Sequence, residues 1–299
     1  MAQMIDTKTK LAGLLGHPVG HSLSPLLQNS LAEHYGIKMA YLAFDVEEGK
    51  LKEAVEGAYA LGAVGLNVTV PYKQEVRAFL AAEDEAAERI GAVNTLKREA
   101  DGWHGYNTDM PGFLRALDYD GVEVAGKDVV LLGAGGAANA VLCALLSRSP
   151  RRLLLYNRTP EKAHKLMERI LPAYPGAEAK VAETQEELLS AMKDGEEWIA
   201  VNTTSLGMAP DTERKLIEAG TFYGKVRTGI DIIFNPAETA FLKAVRETDP
   251  ENRVYNGLRM LIFQGIRSFE IWNDLTVDDK TAESILHKAE EQLKTGGRQ

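Results

Sequence analysis

Three small residues at a fixed spacing, Gly133, Gly135 and Ala138, follow the apolar run 129–132. The helix-period segment 139–146 comes next, so the pattern predicts a strand, a tight turn and a helix. This is the G-x-G-x-x-A arrangement of dinucleotide-binding turns, in which glycine lets the backbone approach a pyrophosphate and the helix N-terminus attracts its charge. Similar glycine turns occur in α/β domains that bind no nucleotide, so the residues after the next strand help to decide whether this turn binds one.

That next strand is predicted at residues 152–156 and ends in Asn157, Arg158 and Thr159. An NAD-binding unit usually carries an acidic residue near this place for the ribose 2′-hydroxyl. Here the chain has Arg158, with Lys162 one turn into the following helix, and two cations suit a 2′-phosphate. The sequence therefore favours NADP over NAD.

A second group of polar side chains, Asn67, Thr69 and Lys73, follows another apolar strand. Pro71 ends that strand, so Lys73 is predicted to begin a helix that runs to residue 80. Ligands of open α/β sheets lie at strand ends. Spacing alone leaves two alternatives open here, because Lys73 could be a solvated helix residue and Asp109 a helix N-cap.

The elements that must position these groups form two series. Strands predicted at 11–16, 39–46 and 65–68 alternate with helices, and a hairpin is predicted at 93–106 around an Asp-Gly turn. From residue 127 onward strands and helices alternate as in a parallel, doubly wound sheet. The run after Gly257 is apolar nearly all round at its start, which predicts a buried helix, and a last helix with one apolar face follows it.

Composition narrows the class of protein. A chain of 299 residues with 45% hydrophobic residues is long enough for two domains, each with its own core. The net charge of −9 argues against a nucleic-acid or anionic-membrane partner, since both require basic patches. The single cysteine, Cys143, excludes an internal disulfide and fits a reducing compartment, so we expect a cytoplasmic protein without a membrane span or metal site.

Several blocks stand in an order typical of one family. They are Gly16-His17-Pro18, His21-Ser22-Leu23-Ser24-Pro25, Asn67-Val68-Thr69-Val70-Pro71-Tyr72-Lys73, Gly91-Ala92-Val93-Asn94-Thr95, Asn107-Thr108-Asp109, Gly133-Ala134-Gly135-Gly136-Ala137, Asn157-Arg158-Thr159, Asn202-Thr203-Thr204-Ser205 with Gly207, and Gly257 through Met260 to Gln264. On these blocks the chain resembles the shikimate dehydrogenase family over nearly its whole length.

The resemblance implies an NADP-linked, reversible reduction of 3-dehydroshikimate to shikimate in aromatic amino-acid biosynthesis. It also implies an α/β protein of two domains: a shikimate-binding domain at 1–114 and a Rossmann-type, doubly wound NADP-binding domain at 115–256. C-terminal helices at 257–299 are expected to return to the first domain and the cleft. A monomer or a homodimer is expected.

The resemblance assigns roles to particular residues. Moving a hydride to or from an alcohol carbon also requires moving the hydroxyl proton, and a lysine with a carboxylate partner can do this. Lys73 and Asp109 take those places, with Lys73 either transferring the proton or polarising the oxygen. The implied substrate residues are Asn67, Asn94 and Gln264 for ring hydroxyls, and Ser22, Ser24 and Thr69 around the carboxylate. The implied cofactor residues are Gly133, Ala134, Gly135, Gly136, Ala137, Asn157, Arg158, Thr159, Lys162, Thr203, Ser205 and Gly257.

Three positions depart from the family pattern. Phe234 stands where a tyrosine usually helps to bind the carboxylate, and we expect it to line that pocket. Met110 and Arg259 stand where glycines are common. These departures leave open a quinate/shikimate dehydrogenase that uses NAD or NADP, against which Arg158 argues.

A non-catalytic regulator that binds shikimate or quinate is a further alternative of another class. Loss of the lysine and the aspartate would be its simplest sign. The chain retains both Lys73 and Asp109.

Overall fold

The computed structural model describes residues 5–20, 22–193, 195 and 197–296, and His21, which belongs to one of the motifs above, lies outside the described residues. The chain divides into two compact units. The first consists of residues 1–112 and 261–299, and the second of residues 113–260. In the described part of the chain, none of the helices is long and apolar enough to cross a bilayer.

The first unit is built on a mixed six-stranded sheet with the order β2-β1-β3-β5-β6-β4. Its strands β1, β2 and β3 are parallel, and β5 and β6 form the predicted antiparallel hairpin. This hairpin brings the segment before β5 and the segment after β6 to the end of the sheet where β3 finishes. The strands are β1 (Lys10–Gly16), β2 (Met39–Asp45), β3 (Gly65–Val68), β4 (Ala82–Glu83), β5 (Thr95–Glu99) and β6 (Gly102–Tyr106).

The second unit is built on a six-stranded sheet, all parallel, with the order β12-β11-β10-β7-β8-β9. The order reverses between β7 and β10, which is the switch point where doubly wound sheets open a ligand crevice. Apolar runs buried on both faces are typical of such strands, and every residue of β7 is buried. The strands are β7 (Asp128–Leu132), β8 (Arg152–Tyr156), β9 (Ala179–Ala182), β10 (Trp198–Asn202), β11 (Val226–Asp231) and β12 (Arg253–Tyr255).

Helices connect and cover the strands of each unit. The α-helices are α1 (Ser24–His34), α2 (Leu51–Ala60), α3 (Glu85–Ile90), α4 (Asp109–Tyr119), α5 (Gly136–Ser147), α6 (Pro160–Ile170), α7 (Gln185–Ala191), α8 (Gly220–Tyr223), α9 (Ala240–Thr248), α10 (Leu258–Asn273) and α11 (Asp279–Gly296).

One predicted helix is wrong. The segment from Lys73 to Leu80 contains only a short 3₁₀ helix, Glu75–Phe79. Leu80 is already extended, with φ −101° and ψ 146°, because the chain must straighten there to enter β4. Lys73 therefore lies in the turn that follows β3 and not at the start of a helix.

Candidate active site

Lys73 and Asp109 form a close, largely buried ion pair in the first unit. The Lys73 Nζ lies 2.6 Å from the Asp109 Oδ2, and the two side chains are 16% and 7% exposed. Asn107 caps α4 instead of Asp109, because the Asn107 Oδ1 accepts the backbone N–H groups of Asp109 (3.1 Å) and Met110 (3.3 Å). The structure thus decides both alternatives left open by spacing: Lys73 is not a solvated helix residue, and Asp109 is not an N-cap.

Asn94 holds the other oxygen of the Asp109 carboxylate. The Thr108 backbone N–H can only donate, and it donates to the Asn94 Oδ1 at 2.8 Å. This bond fixes the direction of the amide, so the Asn94 Nδ2 faces the Asp109 Oδ1 at 2.9 Å. Asp109 therefore accepts a hydrogen bond on each oxygen, one from the amide and one from Lys73.

Asn67 lies deeper in the same unit and is bonded on both sides of its amide. The Tyr41 hydroxyl donates to the Asn67 Oδ1 at 2.8 Å, and the Asn67 Nδ2 donates to the Ser268 hydroxyl at 2.9 Å. Thr95 lies 2.8 Å from the same serine oxygen. Burial raises the pKa of the Tyr41 phenol well above its usual range, so that this hydroxyl remains a donor.

Gln264 joins this network from α10. Its Oε1 accepts from the Asn94 Nδ2 at 3.3 Å, and its Nε2 donates to the Leu261 carbonyl at 2.8 Å. Gly112 makes the approach possible, since a Cβ there would lie 2.6 Å from the Gln264 backbone nitrogen. The structure thus brings five of the sequence-predicted side chains into one hydrogen-bonded cluster: Lys73, Asp109, Asn94, Asn67 and Gln264.

The residues expected around a carboxylate are placed less tightly. Ser22 accepts the Ser24 backbone N–H at 3.2 Å, and the Ser24 hydroxyl interacts with the buried Tyr41 phenol. Thr69 is half-buried just after β3. Phe234 is half-buried three residues after β11, so it belongs to the second unit while the other three belong to the first.

The glycine turn of the second unit has the geometry that a phosphate requires. Gly133 has φ +106°, and a Cβ there would lie 2.8 Å from the Thr203 hydroxyl, so a larger residue is excluded twice. A Cβ at Gly135 or Gly136 would have no described atom within 4 Å. Because Gly135 occupies the N-cap of α5, no side chain there covers the N–H groups of the first helical turn.

The loop after β8 supports that turn. The Asn157 Oδ1 accepts the Ala134 N–H at 3.2 Å, and its Nδ2 donates to the Thr159 carbonyl at 2.8 Å. Arg158, beside it, and Lys162, in the first turn of α6, are exposed. The arrangement leaves two cationic side chains accessible next to the turn.

The remaining predicted cofactor residues lie after β10 and before α10. The Thr203 hydroxyl donates to the Leu132 carbonyl at 2.8 Å, which ties the end of β10 to the end of β7. Ser205 is exposed two residues further on. A Cβ at Gly257 would lie 1.8 Å from the Ile232 carbonyl oxygen, so only glycine fits there. Within the residues that the structure describes, no three His, Cys, Asp or Glu side chains come together as a metal site would require.

Two family models match the chain. Residues 14–96 match the shikimate dehydrogenase substrate binding domain, and residues 117–192 match shikimate / quinate 5-dehydrogenase. The shikimate dehydrogenase (NADP⁺) of Moorella thermoacetica is 41% identical over 288 residues, which cover 95% of each chain. This chain belongs to the shikimate dehydrogenase family.

Solved structures of the shikimate dehydrogenase family share the fold of this chain. The enzyme from Aquifex aeolicus is 39% identical with a TM-score of 0.82, covering 95% of this chain and 99% of that one. The enzyme from Thermus thermophilus, solved in complex with NADP(H) and shikimate, is 32% identical with a TM-score of 0.80, covering 94% and 100%. These matches confirm the predicted family and the α/β fold class with a Rossmann-type domain.

Four side chains of this hydrogen-bonded cluster were not predicted from the sequence: Thr95, Thr108, Tyr41 and Ser268. Thr95 and Thr108 stand inside family blocks, so their neighbours were a usable signal. Tyr41 and Ser268 lie on an apolar strand and an apolar helix, where the pattern indicates only core.

One of the three departures from the family pattern, Arg259, pairs with Asp120, with 3.1 Å between Nη1 and Oδ1.

Proposed function

We propose that this protein is an NADP-dependent shikimate dehydrogenase that reversibly reduces 3-dehydroshikimate to shikimate. The observation that carries the proposal is the Lys73–Asp109 pair. A lysine and a carboxylate are held 2.6 Å apart among neutral hydrogen-bonding side chains, in the unit that the substrate-binding domain model matches. This arrangement can hold and deliver one proton at a carbonyl or alcohol oxygen.

In the reducing direction Lys73 donates a proton to the substrate oxygen, so an N–H bond breaks and an O–H bond forms. Bound nicotinamide supplies or accepts the hydride. Once the proton has left, the lysine is neutral and Asp109 carries the negative charge of the pair. Asn94 keeps the carboxylate turned toward the lysine through its bond to Oδ1. In the oxidising direction the lysine takes the hydroxyl proton back. The alternative role, polarisation of the oxygen without transfer, would use the same contact.

The substrate is held by groups of the first unit. Asn67, Asn94 and Gln264 bind ring hydroxyls, and Ser22, Ser24 and Thr69 surround the carboxylate. Several convergent neutral donors are sufficient to bind an anion. Phe234 lacks the hydroxyl that the family usually brings to the carboxylate, so these three hydroxyl side chains carry more of that binding in this chain.

The second unit would hold the cofactor. The N–H groups of the Gly133–Ala137 turn and of the α5 N-terminus suit the pyrophosphate, and Arg158 with Lys162 suits the 2′-phosphate. Asn157, Thr159, Thr203, Ser205 and Gly257 complete the site. The single cysteine supports a cytoplasmic location. We propose a monomer or a homodimer.

The deciding experiment measures steady-state oxidation of shikimate and of quinate, each with NADP and with NAD, by the purified protein. We expect kcat/KM to be highest for shikimate with NADP. Higher kcat/KM with quinate would establish the quinate/shikimate dehydrogenase alternative. Binding of shikimate without turnover in any of the four reactions would establish the regulator.

A further inference from the structure

Asp231 is a fully buried carboxylate that the proposed chemistry does not use. It ends β11 and accepts hydrogen bonds from three different segments. The Asn202 Nδ2 donates at 3.1 Å from the end of β10, the Ile233 backbone N–H at 3.0 Å from the following loop, and the Thr239 hydroxyl at 2.6 Å from the N-cap of α9. All three donors are neutral.

A buried carboxylate with only neutral donors at the end of a strand costs free energy, since burial disfavours its charged form. Burial raises the pKa of Asp231 to about 6, against the three hydrogen bonds that lower it. The group therefore carries its charge at neutral pH. An ionised carboxylate accepts hydrogen bonds on two oxygens, whereas the asparagine amide, the neutral side chain of the same shape, accepts on only one.

Two of the three donors, Asn202 and Ile233, belong to segments that are bonded to the proposed cofactor loops. The Asn202 Oδ1 accepts both the Thr204 N–H (3.1 Å) and the Thr204 hydroxyl (2.8 Å), so the amide links Asp231 to the loop that carries Thr203 and Ser205. On the other side, the Ile233 carbonyl accepts the Gly257 N–H at 2.9 Å. Three of the proposed cofactor residues are thus set by segments that Asp231 holds.

We infer that Asp231 is a positioning residue for NADP: it fixes the loops after β10 and β11 in the conformation that the cofactor binds. This inference rests on the proposed function, because it takes Thr203, Ser205 and Gly257 as cofactor contacts. Asp231 itself has no exposed surface that a substrate or cofactor could contact.

Asp231→Asn tests the inference. The amide keeps the shape of the side chain but has one acceptor oxygen, and its NH₂ group would face a donor. We expect the dissociation constant of NADPH, measured by fluorescence titration without turnover, to rise on the order of tenfold, the loss that corresponds to one hydrogen bond. The kcat and the KM for shikimate should stay near their wild-type values.

Asp128→Asn is the matched control. Asp128 is also a buried aspartate of this sheet, but it lies at the first residue of β7 and pairs with Arg151 and Arg152. We expect this variant to lower the unfolding temperature and to leave the dissociation constant of NADPH unchanged. If Asp231→Asn gives that same pattern, Asp231 is structural only and the inference is wrong.

Thr239 provides a second pair of variants that keeps the test decisive if Asp231→Asn does not fold. Thr239→Val removes one donor and should weaken NADPH binding, whereas Thr239→Ser retains the hydroxyl and should restore it. Equal binding by the two variants would overturn the inference. Failure of the wild-type protein to oxidise shikimate would overturn the proposed function instead, while the NADPH titrations remain interpretable.

Discussion

The Lys73–Asp109 pair shows how one side chain depends on its neighbour when both are largely buried. Each charge lies out of water and is compensated by the other at 2.6 Å, with Asn94 on the free carboxylate oxygen. A buried charge that loses its partner is costly, so such a pair is weak evidence for stability alone. Its place in a polar cluster beside a strand end points to chemistry.

Lys73→Ala is expected to fold but to lose activity. The substitution removes the group that takes the hydroxyl proton in this direction, so kcat for shikimate oxidation should fall by about 10² to 10⁴. Lys97→Ala is a matched control, because Lys97 is a 20% exposed lysine of the same unit that pairs with Asp274 at 2.7 Å. Stopped-flow or steady-state assays of both variants check the prediction. A Lys73→Ala protein with nearly wild-type kcat would remove Lys73 from the mechanism.

Arg158→Ala should change the choice of cofactor. Loss of one charge-assisted hydrogen bond to a 2′-phosphate costs about 1.5 to 3 kcal/mol, or about 10- to 150-fold in NADP affinity, with little effect on NAD. Calorimetric titration of both nucleotides measures the ratio. Arg148→Ala serves as the control, since Arg148 of the same unit pairs with Asp118. Equal losses for NADP and NAD would show that Arg158 is structural.

At the scale of strands and helices, sequence patterns predicted those elements whose formation depends on residues close together in the chain. Alternating and apolar runs with clear turn residues predicted the β5–β6 hairpin and the parallel strands β7 to β11 of the second sheet, but not β12. The helix predicted at Lys73 was wrong because pairing of β4 with β6 straightens Leu80, and a local pattern does not contain that contact. Tyr41 and Ser268 were missed for the same reason: their polar atoms meet only after β2 and α10 have packed.

Gly112 lies where α4 approaches α10, and a substitution there tests how close the two helices must be to place Gln264. An added Cβ would lie 2.6 Å from a backbone nitrogen of α10, which a side-chain rotation does not relieve. Gly112→Ala is therefore expected to lower the unfolding free energy by about 1 to 3 kcal/mol and to raise the KM for shikimate. Urea titration and steady-state kinetics measure the two effects.

Gly57→Ala is the control for that substitution. Gly57 lies inside α2, and a Cβ there would have no described atom within 4 Å. Alanine in an open helical position should stabilise the protein by up to about 1 kcal/mol. If Gly112→Ala behaves like Gly57→Ala, then α4 and α10 do not require the close approach.

At the scale of the whole molecule, Asp231 makes stability depend on pH. Its pKa is about 6 in the folded protein against 3.8 for an ordinary aspartate, so the folded state holds a proton that the unfolded chain has released. The stabilisation is fully present below about pH 4 and is lost as pH rises through about 6. The difference in unfolding free energy between wild type and Asp231→Asn should therefore shift by up to about 3 kcal/mol between pH 4 and 7.

Hydrogen-exchange pulse labelling of β11 along urea titrations at four pH values would measure this shift. The comparison with the variant is necessary because Asp120 and Asp231 line one small cavity, and burial raises the pKa of Asp120 to about 6 against the opposing charge of Arg259. Asp120 is present in both proteins, so we expect its contribution to cancel in the difference. If the difference in unfolding free energy does not change between pH 4 and 7, the pKa of Asp231 is not raised in the folded protein.

The first unit is synthesised in two separate parts, one before and one after the second unit. Its strands emerge early, but Gln264, Ser268 and Trp272 follow the whole of residues 113–260. At about 5 to 20 residues per second the interval is about 7 to 30 s. During it Asn67 lacks the serine acceptor, and the Leu96 carbonyl lacks the Trp272 indole that later donates to it at 2.9 Å. The nascent chain therefore exposes an incomplete first unit for the whole time in which the second unit is synthesised.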